Sequence, residues 1–285
     1  MLRTSASVEF QAAWDIRDAL LAESSLWDLC LEVAMAELSP AMSLPPRLSL
    51  FGGFTLAVAS RPTQLPRHAR RVLAYLALMS SRTNDIDRRL LTERLWPDSP
   101  TDRSAASLRT ALWRIRRESP GLVHTDRDRV SLGRDVAVDV HGFHCLVARM
   151  LSNDRDAPPE DLQFLLDAVD LLPGWDDDWL ELAREQLRQK RLTSLEYAAR
   201  RLSEHGRHVE AIELMLAVVA AEPLRESAHA MLIDAHIRQG NMADASYALM
   251  SFARLLWTEL SVHPSPGLLN KLGLSAGRLT LMLST

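Results

Sequence analysis

Between Arg103 and Arg117 the chain reads RSAASLRTALWRIRR, a stretch rich in side chains that donate hydrogen bonds. Read as a helix, it places Ala105, Leu108, Leu112 and Ile115 on one inward stripe. The opposite side then carries Arg103, Ser107, Thr110, Trp113, Arg114 and Arg117, with Arg109 and Arg116 at its flanks. A guanidinium is a rigid fork of donors that meets guanine bidentately in the major groove of DNA. At the margin of such a helix it meets a phosphate instead, which sets register without reading sequence. Double-stranded DNA is therefore the expected partner. A charged helix face alone is more often just a solvated one, so its company decides.

That company is basic. Asp126 to Arg129 are four consecutive charged residues between two short apolar runs, and they read as a hairpin tip bearing Arg127 and Arg129. An arginine tip suits a narrow minor groove. Arg70 and Arg71 open an earlier helix and are placed to meet the phosphate backbone. Trp113 keeps two readings, a groove-facing ring or a ring packed against the second half of the chain.

The elements that must position these residues follow from periodicity. Residues 47–58 alternate around Gly52-Gly53, with Leu48, Leu50, Phe54, Leu56 and Val58 in the period of two that predicts short strands. Arg67 to Met79 switches to helical period through Ala69, Val72, Leu73 and Leu76. A second helix follows Asp87, its expected N-cap, gathers Leu91 and Leu95, and must stop at Trp96 because Pro97 disfavours helix before it. The third helix is expected from about Asp102 to Glu118, closed by Ser119-Pro120-Gly121. Strands are expected at Leu122–Thr125, Val130–Leu132 and Val136–Val140. Sheet, three helices and hairpin make a winged helix-turn-helix.

Beyond a polar linker, Ser152 to Pro159, the pattern is helical throughout. Leu162, Leu165, Leu166 and Val169 share a face, Pro173-Gly174 breaks the chain, and Asp176, Asp177 and Asp178 stand where negative charge favours a helix start. Gly206 recurs as Gly240 and Ala211 as Ala245, and Pro223 closes the first unit. A turn glycine followed by a small residue at a spacing of about 34 predicts tetratricopeptide-like hairpins.

Charge divides the chain the same way. Residues 1–46 carry 2 basic and 7 acidic side chains, residues 47–153 carry 18 and 10, and residues 154–285 carry 13 and 20. The overall net charge of −4 hides a basic segment between two acidic ones, the asymmetry expected of nucleic-acid contact. The domains expected are an acidic extension at 1–46, the winged helix at 47–151 and a helical domain at 160–285. In the extension Trp14, Leu20, Leu21, Trp27 and Leu31 suggest one helical face, and Met42 stands where translation could alternatively begin.

Several classes are excluded. No apolar run is longer than the eight residues of Val72 to Met79, far too short for a bilayer, and the N-terminus lacks the pattern of a signal peptide. Cys30 and Cys145 allow at most one disulfide and come with no zinc spacing. No phosphate loop, GxSxG or HExxH occurs. His205 and His208 flank Gly206 at metal-like spacing, but a helix turn explains them better. The expectation is a cytoplasmic, nucleoid-associated protein that is not an enzyme and needs no cofactor or metal.

At four stretches the chain resembles the Streptomyces antibiotic regulatory proteins and, more broadly, regulators with a bacterial transcriptional activator domain. These are RLSLFGGFTL (Arg47 to Leu56), LLTERLWPD (Leu90 to Asp98), RSAASLRTALWRIRR (Arg103 to Arg117) and LLPGWDDDWLELAREQLRQKRL (Leu171 to Leu192). The resemblance covers about residues 47–265. It implies a mainly α fold, an OmpR-type winged helix-turn-helix followed by an all-α tetratricopeptide-like domain. It also implies an activator that binds direct repeats near promoters and recruits RNA polymerase. Arg103 to Arg117 would be the recognition helix, and Leu90 to Trp96 the helix facing the transcription machinery. The chain departs from the family in three ways. It lacks the ATPase and sensor domains of larger members, it carries the acidic extension, and Pro97 to Thr101 leaves little room for a polymerase-contacting loop.

Two functions from different classes follow. The first is a transcription activator whose paired winged helices sit on repeated half-sites, with the helical domain mediating a possible homodimer. The second is a helical protein-protein interaction module with a vestigial winged helix. Ligand sensing by the helical domain has no residue to support it.

Overall fold

The alternation of Leu48, Leu50 and Leu56 with polar residues, and the helical periods after it, are realised in a computed structural model that describes residues 44–80, 85–152, 157–168, 170–275 and 277. The helical reading of the acidic extension, Cys30 and Val169 lie outside the described residues. In chain order the first part holds β1 (Arg47–Ser49), β2 (Thr55–Val58), β3 (Arg61–Pro62), α1 (Arg67–Ser80), β4 (Ile86–Asp87), α2 (Arg88–Leu95) and α3 (Thr101–Glu118). A 3-10 turn, Pro120–Leu122, leads to β5 (Val123–Asp126), β6 (Arg129–Leu132) and β7 (Ala137–Val138). The second part holds α4 (Asp139–Ser152), α5 (Pro159–Asp167), α6 (Asp178–Glu204), α7 (His208–Ala221), α8 (Glu226–Arg238), α9 (Met242–Leu260) and α10 (Pro266–Asn270).

The strands form two small sheets. One has the order β3-β2-β1-β7, with β7 parallel to β1 and the other pairs antiparallel. Leu48 lies opposite both Leu56 and Val138, so one face of this sheet is apolar and buried. The other sheet, β4-β6-β5, is antiparallel and makes the wing. Under them α1 turns Ala69, Val72, Leu73 and Leu76 into a fully enclosed core. Asp87 caps α2 by accepting from the Arg89 and Leu90 amides at 2.7 and 3.4 Å, and the helix ends before Trp96 as predicted.

The strand expected at Val136–Val140 is only two residues long, and a helix missing from the sequence reading begins at Asp139. The reason is tertiary. The Asp139 carboxylate accepts from the Leu50 and Phe51 amides at 2.7 and 3.0 Å and from the Val140 amide at 2.7 Å, so the chain turns into α4 there. Burial pushes this carboxyl up from its ordinary pKa, against the pull of those amides. Val140, Phe143, Val147 and Met150 then bury one face of α4.

The second part is built from helical hairpins. Gly206 and Gly240 take φ of 79° and 76°, conformations that L side chains resist, and let α6 fold onto α7 and α8 onto α9. Ala211 and Ala245 are buried where the paired helices approach. Glu196 joins the two hairpins. It accepts from Arg225 Nε and Nη2 at 2.8 and 2.9 Å and from the Ser227 hydroxyl at 2.6 Å.

From Pro45 onward the chain packs as one compact unit, so the parts expected at 47–151 and 160–285 share a core. A single hydrophobic cluster runs from Leu48 of β1 to Leu232 of α8. The backbone itself crosses the seam, because the Gly52 amide donates to the Asp170 carbonyl at 2.8 Å and the Leu172 amide to the Leu50 carbonyl at 2.9 Å. Leu172 is fully buried at φ 47°, a strained conformation for leucine. Arg184 holds that turn by donating to the carbonyls of Leu171, Leu172 and Trp175 at 3.0, 2.7 and 2.8 Å. Trp175 stacks on Phe54, and Trp179 meets Tyr75 edge-on. Arg191 is buried and donates to the Leu165 and Leu166 carbonyls at the end of α5, where a cation suits the helix dipole. The motif Leu171 to Leu192 is thus the weld between the two parts.

Candidate nucleic-acid interface

The recognition helix candidate, α3, follows its N-cap Pro100, whose carbonyl accepts from the Arg103 and Ser104 amides at 3.0 and 2.9 Å. It packs on both α1 and α2. Its buried residues are Ser104, Leu108, Ala111, Leu112 and Ile115, while Ala105 is only half-buried. The inward stripe is broader than the sequence suggested because both α1 and α2 cover it.

The outward face is held open. Arg103, Arg109, Thr110, Trp113, Arg114, Arg116 and Arg117 are exposed, and Ser107 is half-buried. Trp113 is 55% exposed, so its ring is not packed against the helical part. The guanidiniums of Arg114 and Arg117 lie over it, 5.0 and 5.6 Å from its centroid. Such cation–π contacts keep long side chains together on a wet surface. Among the described residues, Arg103, Arg109, Arg114 and Arg117 form no ion pair, so their charge is available to an outside anion.

The wing stands beside this face. Arg116 donates through Nη2 to the Thr125 hydroxyl of β5 and ties the end of α3 to the hairpin. The four-residue charged loop expected at Asp126–Arg129 is tighter than that. Asp126 and Arg129 pair in the ladder, and only Arg127 and Asp128 make the turn. Arg127 takes φ 39°, a left-handed conformation usually left to glycine or asparagine. Arg129 sits opposite Asp126 on one side and Asp87 on the other.

Arg70 and Arg71 fare differently from the expectation. Arg70 is half-buried. Arg71 forms an ion pair with Asp177 at the head of α6, and its guanidinium lies 6.0 Å from the Trp96 ring centroid. Arg71 is committed to the seam and is withdrawn from the interface. Asp177 in turn does more than favour a helix start, for its side chain is almost wholly buried and it makes no capping bond. His208 shares a hydrogen bond with Ser203, and among the described residues no cluster of histidines, cysteines and acids could hold a metal.

Residues missed in the sequence are mostly those that hold the interface in place. Asp139 and Arg191 act through backbone groups far along the chain and Arg184 through the carbonyls of the turn that precedes its helix, and only the helical spacing from Val140 to Met150 carried a readable signal.

Comparison with known proteins bears on both parts. Residues 138–271 match the bacterial transcriptional activator domain. Regulatory protein AfsR of Streptomyces coelicolor is 31% identical over 229 residues, 76% of this chain and 22% of that protein. Regulatory protein AfsR of Streptomyces griseus is 30% identical over 218 residues, 70% of this chain and 21% of its own length. The chain thus spans about a fifth of the curated relatives it matches. Among solved structures, Mycobacterium tuberculosis EmbR, in complex with a low affinity phosphopeptide, shares the fold. Its TM-score is 0.62 at 18% identity, over 84% of this chain and 65% of that one. The winged helix joined to tetratricopeptide-like hairpins and the match over 138–271 agree: residues 138–271 are a bacterial transcriptional activator domain, and the chain is similar to regulators that carry one, the Streptomyces antibiotic regulatory proteins among them.

Proposed function

We propose that the chain is a sequence-specific DNA-binding transcriptional regulator, an activator that occupies direct repeats at promoters and contacts RNA polymerase. The observation that carries this reading is the outward face of α3, where Arg103, Arg109, Arg114 and Arg117 are exposed and, among the described residues, without ion pairs beside an arginine-tipped wing. A helix fits the major groove, the flanking arginines meet phosphates, and Arg127 and Arg129 reach the neighbouring groove. Arg70 remains a backbone contact at the edge; Arg71 does not. The mechanism needs no cofactor and no catalytic step. Among the described residues no helix is long and apolar enough to cross a membrane. The regulator would work at the nucleoid, where its DNA lies.

The test is titration of labelled promoter duplexes with the full chain across a range of salt. Each phosphate neutralised steepens the log–log dependence on salt by about 0.9. Six or more contacts are expected per bound copy. Affinity that does not change with salt sinks the reading.

A second reading, an interaction module with a vestigial winged helix, draws on Tyr247 and Trp257 of α9, which are 73% and 50% exposed. Within the first reading the same side chains are candidates for polymerase or homodimer contact. Binding of a protein partner that survives mutation of the α3 arginines would favour the module.

A further inference from the structure

We infer that the centre of α3 reads the 5-methyl groups of thymine, so that this regulator's half-site is defined by thymines flanked by the bases and phosphates its arginines hold. The inference rests on the DNA-binding reading above. Ala106, Thr110 and Trp113 follow one another at i, i+4 and i+7, and all three are exposed. Thr110 looks polar in the sequence, but its hydroxyl donates to the Ala106 carbonyl at 3.1 Å. The hydroxyl is turned to the helix backbone, and the methyl is the group left to meet a ligand. Trp113 adds a ring beside which Arg114 and Arg117 are stacked.

A face that bound phosphates alone would have no use for three apolar groups along its middle. In the major groove the one apolar handle on a base pair is the thymine methyl, and alanine and threonine methyls and aromatic rings are the side chains that meet it. The arginines stand at both ends and flanks of the stripe, where guanine edges and phosphates lie. Adenine–thymine pairs are thereby assigned to the middle of the half-site and guanines to its margins.

The probe is a duplex selected from a random-sequence pool by the full-length protein. Each thymine is then replaced singly by deoxyuridine, which removes the methyl and leaves base pairing intact. The wild type is expected to lose affinity about fourfold per contacted methyl, at one to three positions near the half-site centre. Thr110→Ser keeps the back-bonded hydroxyl and removes only the methyl; Trp113→Ala removes the ring. Each variant should bind thymine and deoxyuridine duplexes equally at its own position while keeping the other preferences. If the wild type selects a defined sequence yet tolerates deoxyuridine everywhere, or the variants keep the full thymine preference, the inference is overturned and the DNA-binding reading stands. If no sequence is enriched, both are overturned.

Discussion

Arg71 of α1 and Asp177 at the head of α6 form an ion pair in which the carboxylate is almost fully enclosed and the guanidinium faces Trp96. Removing one member of a buried pair strands the other and costs about 3–5 kcal/mol. Arg71→Met should therefore lower the denaturation midpoint sharply, and Arg71→Met combined with Asp177→Leu should recover most of the loss. The affinity of the folded variant for DNA should barely move. A stable Arg71→Met protein with weakened DNA binding would return Arg71 to the interface.

Arg109→Ala or Arg114→Ala should weaken binding to a selected duplex by about 1–3 kcal/mol if the side chain reads a base, with relaxed preference at one position. If it meets a phosphate, the loss is uniform across sequences and the salt slope falls by about 1. Anisotropy titrations at four salt concentrations separate the two cases, and stability should be unchanged because both side chains are exposed.

Arg127 carries opposing demands. Its φ of 39° strains a side-chain-bearing residue, and glycine relieves that strain. Arg127→Gly is expected to raise stability by up to about 1 kcal/mol and to weaken DNA binding, since a cation leaves the wing tip. Thermal unfolding and a binding titration on the same sample check the pair of effects. A variant that gains neither stability nor loses affinity would mean that the tip is idle.

The hairpins of the second part should soften in acid in two steps. His229 stacks on Phe252 with centroids 3.9 Å apart, and burial holds its pKa below the ordinary 6.5, against the pull of the Pro223 carbonyl and Glu226. A histidine depressed in the folded state stabilises fully above the unfolded value, and that share is lost as pH falls from 6.5 toward the folded value. Glu196 adds a lower step. Burial pushes its carboxyl up, but the bonds from Arg225 and Ser227 outweigh that and hold its pKa below 4.5, so stability falls as pH drops beneath that value. His229→Gln should flatten the upper step only, as read from denaturant midpoints between pH 7 and pH 4.

The outward face of α3 was legible because arginines and the spacing of Leu108, Leu112 and Ile115 are local information. So was the stop at Trp96, which Pro97 dictates, and the pair of turn glycines. The start of α4 was not, because Val136 to Val140 is apolar and β-branched enough to read as strand, and what ends it is a carboxylate bonded to β1. Arg71 misled for the same reason. A first-turn arginine looks like a phosphate ligand until the fold brings Asp177 beside it. Ala105 and Ala111 differ in burial only through which neighbours cover α3.

The seam at Leu50 and Leu172 bears on how such a regulator can be taken apart. Cutting the chain between α4 and α5 would not release two working halves, because it would bare Leu50, Phe51, Phe54 and Tyr75 on one fragment and Leu171, Trp175 and Trp179 on the other. Both pieces would be expected to aggregate, and a failed fragment would say nothing about DNA. The winged helix and the activator domain share one core, so a change that opens the seam disables both together.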